Sequence, residues 1–206
     1  RNGAPPGICF AVSHATVTDM TKMPEYNAGV APLVKGVGGR QLCAGYSTAL
    51  EGSRPAGHPL CTLCIFPCVE ACRQCFSSAA YRRLGPVREA AAQLSLIYAG
   101  TAAPAPELTG AEAFVVGHAV VRNRKAFEAY CAQAGLAAHS VGGALLGDGR
   151  SRVLVGRHGP VGNALVVFMF PSKQAARDWH NSARYQQLLP LRRQAADMTL
   201  LMVPSF

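Results

Sequence analysis

From Phe114 to Val121 the chain reads FVVGHAVV, with Phe114, Val116, His118 and Val120 on one row and Val115, Gly117, Ala119 and Val121 on the other. This two-residue period predicts a strand. The pattern also stands at Phe10 to Val17 (FAVSHATV), 104 positions earlier. Asp19 and Asn123 follow where a helix N-cap belongs, ahead of stretches that close on Gly-Gly after Val37 and Val141, so each half is expected to continue into a helix. Pro24 fits such a helix only in its first turn, and Pro32 is expected to kink it or end it early.

Beyond the glycines, Arg40 to Ala44 and Ala49 to Glu51 predict two short strands joined by a polar turn. Ala144 to Leu146 and Val153 to Val155 repeat them. Loops follow at Ser53 to Pro59 and Arg157 to Asn163, and the apolar runs Leu60 to Phe66 and Ala164 to Phe170 read as buried strands. A second helix should begin after Pro67 or Pro171, break near Ser78 or Ser182, and restart through Tyr81 or Tyr185 toward Ala92 or Ala196. A last strand, Leu94 to Tyr98 or Met198 to Val203, closes a β-α-β-β-α-β unit, the ferredoxin-like order.

The two units align without a gap at an offset of 104, with roughly three in ten positions identical, so the chain is a duplicated domain. The expected division is a first α+β repeat at 1–99, a linker at 100–112 and a second repeat at 113–206. The linker reading rests on GTAAPAPELTG from Gly100 to Gly110. Units of this size bury only a modest core alone, so the halves are expected to pack on one another.

Composition narrows the class. The chain is 50% hydrophobic and 15% charged, which suits a globular protein, and no apolar run is long enough to predict a membrane-spanning helix. Its first residue is Arg1 and not Met, which points to a processed product and leaves an organelle interior among the possible compartments. A net charge of +9, carried by 16 Arg and 4 Lys, suits an acidic protein partner or a larger complex. The charges are scattered and the third strands lack the aromatics of an RNA recognition motif, so nucleic acid is disfavoured.

Phe170-Pro171-Ser172, Ala175-Ala176, Trp179, Asn181-Ser182, Tyr185 and Leu188 to Arg192 together resemble the dimeric α+β barrel superfamily, and within it a widespread group known chiefly as a domain of unknown function. The first half departs from that pattern, with Cys68 at the place of Ser172, Cys75 at Trp179 and Gly85 at Leu189. The resemblance implies two ferredoxin-like domains packed sheet to sheet as a single-chain pseudo-dimer. It implies no catalytic residues and no cofactor.

Five of the eight cysteines crowd into CTLCIFPCVEACRQC. Cys61 and Cys64 fall three apart in a predicted strand and so point to opposite faces, which argues against a zinc knuckle. Cys68, Cys72 and Cys75 share one helical face with Ser172, Ala176 and Trp179 as their counterparts, a face that packs as core. Cys9, Cys43 and Cys131 are isolated, which suits a reducing compartment.

His14 and His118 occupy matching positions in the first strands. If that face lines the barrel interior, two imidazoles meet at a common cavity, able to hold an anion or move a proton. The preferred reading is plainer: each is a histidine bonded to a neighbouring backbone group and inherited from the duplicated ancestor. Tyr26 and Tyr130, with hydroxyls expected at a rim, and Arg88 and Arg192, late in the second helix, complete the candidate ligand-binding set. His58, His139, His158 and His180 are unrepeated and expected at the surface. None of the 11 acids is acidic in both halves, and Glu51 faces Val155, so a symmetric carboxylate pair is excluded. Standard catalytic motifs are missing. The leading expectation is a non-catalytic accessory, scaffold or binding protein that docks through its basic surface. The alternative is a cofactor-independent enzyme, or a binder of a small apolar or anionic metabolite, that uses the barrel interior with His14 and His118.

Overall fold

The computed structural model describes residues 7–52, 60–101, 108, 110–156 and 162–205. The first half runs β1 (Cys9–Val17), α1 (Met23–Gly36), β2 (Arg40–Tyr46), β3 (Thr48–Glu51), β4 (Leu60–Phe66), α2 (Val69–Ser77), α3 (Ala79–Arg83), α4 (Gly85–Ala91) and β5 (Ala92–Gly100). The second runs β6 (Ala113–Val121), α5 (Arg124–His139), β7 (Ala144–Val155), β8 (Ala164–Phe170), α6 (Lys173–Asn181), α7 (Ala183–Gln186), α8 (Leu189–Ala195) and β9 (Ala196–Pro204). Strands β1, β4 and β5 lie 104 residues from β6, β8 and β9 at both ends, so the duplication is kept to the residue.

The strands form one antiparallel sheet in the order β2-β4-β1-β5-β7-β8-β6-β9-β3. Only Ser47 separates β2 from β3 in the chain, yet they stand at opposite ends of this order. The sheet therefore curls into a nearly closed barrel. Three cores follow: one under the helices of each half, and a third between the sheets, where Phe10, Val12 and Leu63 meet Phe114, Val116 and Leu165.

Several sequence expectations need correction. The expected strand pairs with polar turns are not hairpins. Strand β7 is continuous, pairing with β8 up to Arg150 and with β5 from Ser151, while β3 leaves β2 and pairs with β9 of the other half. A hairpin would satisfy only its own edge, whereas an extended arm also covers the open edge of the opposite sheet. Asp19 does not cap α1. It accepts from Thr21 N at 2.9 Å in a local turn, and the helix starts later, after Lys22, with no side-chain cap. Asn123 does cap α5, accepting from Ala126 N at 3.1 Å. Pro32 lies inside α1, which nevertheless runs on to Gly36. The last strands are longer than expected, because each extends alongside the whole of β1 or β6.

Gly38 and Gly142 end the first helices with φ of 74° and 75°, in the left-handed region that favours glycine. Their neighbours Gly39 and Gly143 serve a different need: a Cβ there would sit 2.6 Å and 2.5 Å from the rings of Phe66 and Phe170. Ser78 and Ser182 cap α3 and α7 through Tyr81 N and Tyr185 N. Most of the linker and of the two long loops, with His58 and His158, lies outside the described residues.

Candidate functional site

The two histidines meet. His14 is the Cα partner of Cys61 and Ser95, and His118 of Leu165 and Thr199, so each sits at the centre of its own sheet. Across the pseudo-twofold axis their Nε2 atoms are 2.9 Å apart, with ring centroids at 4.8 Å and planes at 64°. Both rings are buried. A hydrogen bond between two Nε2 atoms needs one proton, donated by one ring and accepted by the other. If both rings are neutral they must be different tautomers, so the contact breaks the symmetry that created it.

Burial, and then the neighbouring His14, hold His118 well below the ordinary imidazole range. Its Nδ1 has no hydrogen-bond partner among the described residues. Phe10, Val12, Phe114 and Val116 fill the interior on the same strand faces. This arrangement can retain one proton between two rings inside apolar packing.

Tyr26 and Tyr130 are not at a rim. The hydroxyls of Tyr26 and Tyr81 are 3.1 Å apart and those of Tyr130 and Tyr185 2.8 Å, each pair buried between helices and sheet. Burial is the largest cause raising the Tyr26 and Tyr130 phenols above their ordinary range. A tyrosine on each first helix thus finds one on α3 or α7, and the two hydroxyls satisfy each other away from water.

The two arginines diverge. Arg192 is only 4% exposed. It donates both guanidinium NH groups to the carboxylate of Glu51 and lies 3.3 Å from the Tyr185 hydroxyl. Burial opposes ionisation of Glu51, but Arg192 and then His180 outweigh it and hold the carboxyl below its usual range. Arg88, its counterpart, lies 5.7 Å from the Tyr81 ring centre and reaches the exposed Glu89 at 3.1 Å.

The six candidates thus occupy three places: His14 with His118, Tyr130 with Arg192 through Tyr185, and Tyr26 with Arg88 through Tyr81. Glu51 and His180 were missed. Val155 opposite Glu51 made the acid look incidental, yet β3 carries Glu51 across to the other half. His180, expected at the surface, has a side chain only 15% exposed, with Nε2 at 3.5 Å from Glu51 Oε2. The usable signal was a lone acid on β3 and, in the other half, a helix that carries Arg192 and Arg193 with no acid of its own.

Every cysteine is a free thiol. Cys61 lies in the barrel interior and Cys64 under the helices, as opposite strand faces require. Cys68 is not core, and its sulfur accepts from Ala71 N at 3.4 Å, the capping role that Ser172 Oγ plays at 2.9 Å in the second half. Burial pushes the Cys75 thiol up to about 11 and the Cys64 thiol to about 12, so both are protonated. Among the described residues no group of three His, Cys, Asp or Glu side chains is placed to hold a metal. No described helix is long and apolar enough to cross a membrane.

Two ferredoxin-like halves that lend strands to each other around a shared interior define a dimeric α+β barrel protein, with both subunits in one chain. The chain belongs to the family described as a domain of unknown function, DUF1330, whose model matches residues 9–101 and again 112–206. Among solved structures it is similar to an anthrone oxidase-like protein at 13% identity and a TM-score of 0.57, covering 97% of this chain and 92% of that one. It is also similar to a chlorite dismutase variant from Candidatus Nitrospira defluvii, at 13% identity and a TM-score of 0.57, covering 98% and 92%. At such identities the likeness is one of fold. No curated protein matches the sequence.

Proposed function

We propose that this chain is a non-catalytic accessory, scaffold or binding protein whose working surface is the outside of the barrel. The observation that carries this reading is the closed histidine contact. The symmetric pair best placed for chemistry spends its facing nitrogens on each other, inside packed apolar side chains. A reaction chamber needs room for a substrate beside its general base. The paired tyrosines and the Glu51–Arg192 contact are likewise internally satisfied, which supports a structural role for them. The charge of +9 then suits an acidic protein partner.

Native mass spectrometry of the protein isolated from its source should find it joined to an acidic protein and released at about 0.5 M salt, where screening is strong. The variant His14→Leu with His118→Leu should keep that partner. Recovery as a free chain with a small molecule retained in the barrel, and lost in the double variant, would overturn the proposal in favour of the interior-site reading.

A further inference from the structure

The halves join along two seams that the duplication makes equivalent, and their side chains differ. Beside the β5–β7 seam lies an open cavity of about 710 Å³. Val69, Tyr98, Gly100, Thr101, Gly147 and Gly149 line it along the seam, and the two β7 glycines are held bare for a steric reason. A Cβ at Gly149 would stand 2.2 Å from the Gly100 carbonyl oxygen, and one at Gly147 would stand 2.5 Å from Thr101 Cγ2.

The charged lining is Arg73 from α2, Arg124 from α5, and Arg150 and Arg152 from β7, against the carboxylates of Glu128 and Asp148. Glu128 is already engaged by Arg124, Nε to Oε1 at 2.8 Å. Arg73 has only a 3.8 Å contact to the exposed Glu70. Arg150 and Arg152, two apart on one strand, are both exposed.

At the other seam the offset of 104 puts Met20, Tyr46 and Thr48 at the places of Arg124, Arg150 and Arg152, while Arg73 keeps a counterpart in Arg177 and Val69 is replaced by Lys173. There, Gly45 meets the ring of Pro204. Arg124, Arg150 and Arg152 are thus peculiar to the β5–β7 seam and are not demanded by the barrel, whose other seam folds without them.

From this we infer that the β5–β7 groove is a binding site for a small molecule bearing a phosphate or diphosphate group. Guanidinium groups from a helix and a strand bind such a group through paired N–H donors, and several around one cavity suit a multiply charged anion better than a single carboxylate. The cavity is large enough for the group with a modest organic body attached.

Isothermal titration with pyrophosphate at low salt, on the whole chain, tests this. The expected result is saturable sub-millimolar binding, weakened at least tenfold by Arg150→Ser with Arg152→Ser and also by Arg73→Ser. The same charge removed elsewhere, Arg82→Ser with Arg83→Ser, should leave binding within twofold. Unchanged melting temperatures establish that each variant is folded. Absence of saturable binding at millimolar pyrophosphate would overturn the inference. So would equal weakening by both double variants, which marks a general charge effect, or succinate binding as tightly as pyrophosphate. Partner capture is unaffected by any of these outcomes, so this site and the scaffold reading fail separately.

Discussion

In the second half, Trp179 lies between Phe168 and Phe170, with ring centres at 4.8 Å and 5.2 Å, and donates its indole N–H to Ala134 O at 3.2 Å. In the first half the same three positions are Cys75, Cys64 and Phe66. Phe76, which stands where the second half has His180, packs edge-on to Phe66 at 5.7 Å and Tyr81 at 5.1 Å. One backbone therefore supports an aromatic core and a thiol core. The same exchange decides the polar chemistry nearby: His180 joins Glu51 and Arg192 in the second half, whereas Phe76 and Val155 leave Arg88 with only a surface acid. Two copies of one fold have separated into a heavily packed half with a buried ion pair and a lighter half without one.

The largest expected effect comes from emptying the aromatic core. Trp179→Ala should destabilise the protein by about 3–5 kcal/mol, and Cys75→Ala by only about 1 kcal/mol, because far less buried surface is removed. Urea unfolding followed by circular dichroism measures both, since Trp179 is also the only tryptophan. Equal losses at the two positions would erase the distinction between the cores.

Next in size is the ion pair. Glu51→Ala leaves the buried Arg192 without its carboxylate and should cost about 2 kcal/mol, less than for a fully buried pair because the Glu51 side chain is 26% exposed. Glu89→Ala beside Arg88 should change stability by no more than about 0.5 kcal/mol, as surface pairs do. Thermal unfolding of the two variants side by side is sufficient. A larger loss at Glu89 would reverse the assignment of the buried pair to the second half.

The effect confined to acidic pH belongs to the histidines shared by both halves. His118 is held below its unfolded value of about 6.5, so above that pH both states are neutral and the group contributes nothing. Below it the unfolded chain takes up a proton that the folded chain refuses. Stability should then fall by up to about 1.4 kcal/mol per pH unit until the lower folded value is reached. Melting temperatures between pH 8 and 5 should show this slope, and His14→Leu with His118→Leu should flatten it. Glu51 works in a lower window, since its contribution is present above the unfolded carboxyl value and lost as pH falls through the depressed folded one.

Much of the fold was legible because each element is written twice. The limits of β4 and β8, the Ser78 and Ser182 caps and the glycine pairs are set by neighbours a few residues away, where local sterics and hydrogen bonding dominate. Asp19 marks the limit of that reasoning. It has the right chemistry for a cap, but Thr21 lies closer to hand and takes the carboxylate into a turn. Tyr26 and Tyr130 were placed at a rim because a hydroxyl seeks a partner, and the partner proved to be another buried hydroxyl. Comparing the copies also misled at Glu51, since it assumes that a residue acts within its own half.

The sequence by itself determined the duplicated β-α-β-β-α-β order, the strand row that His14 and His118 share with their neighbours, and the demotion of most of the cysteine cluster to packing. Periodicity and short-range geometry are enough for these. Only the tertiary structure decided that β3 and the end of β7 cross to the opposite half, because strand pairing is a choice between distant edges of similar local pattern. That choice brings Glu51 to Arg192, one imidazole to the other, and four arginines around one seam. Each depends on which strands become neighbours.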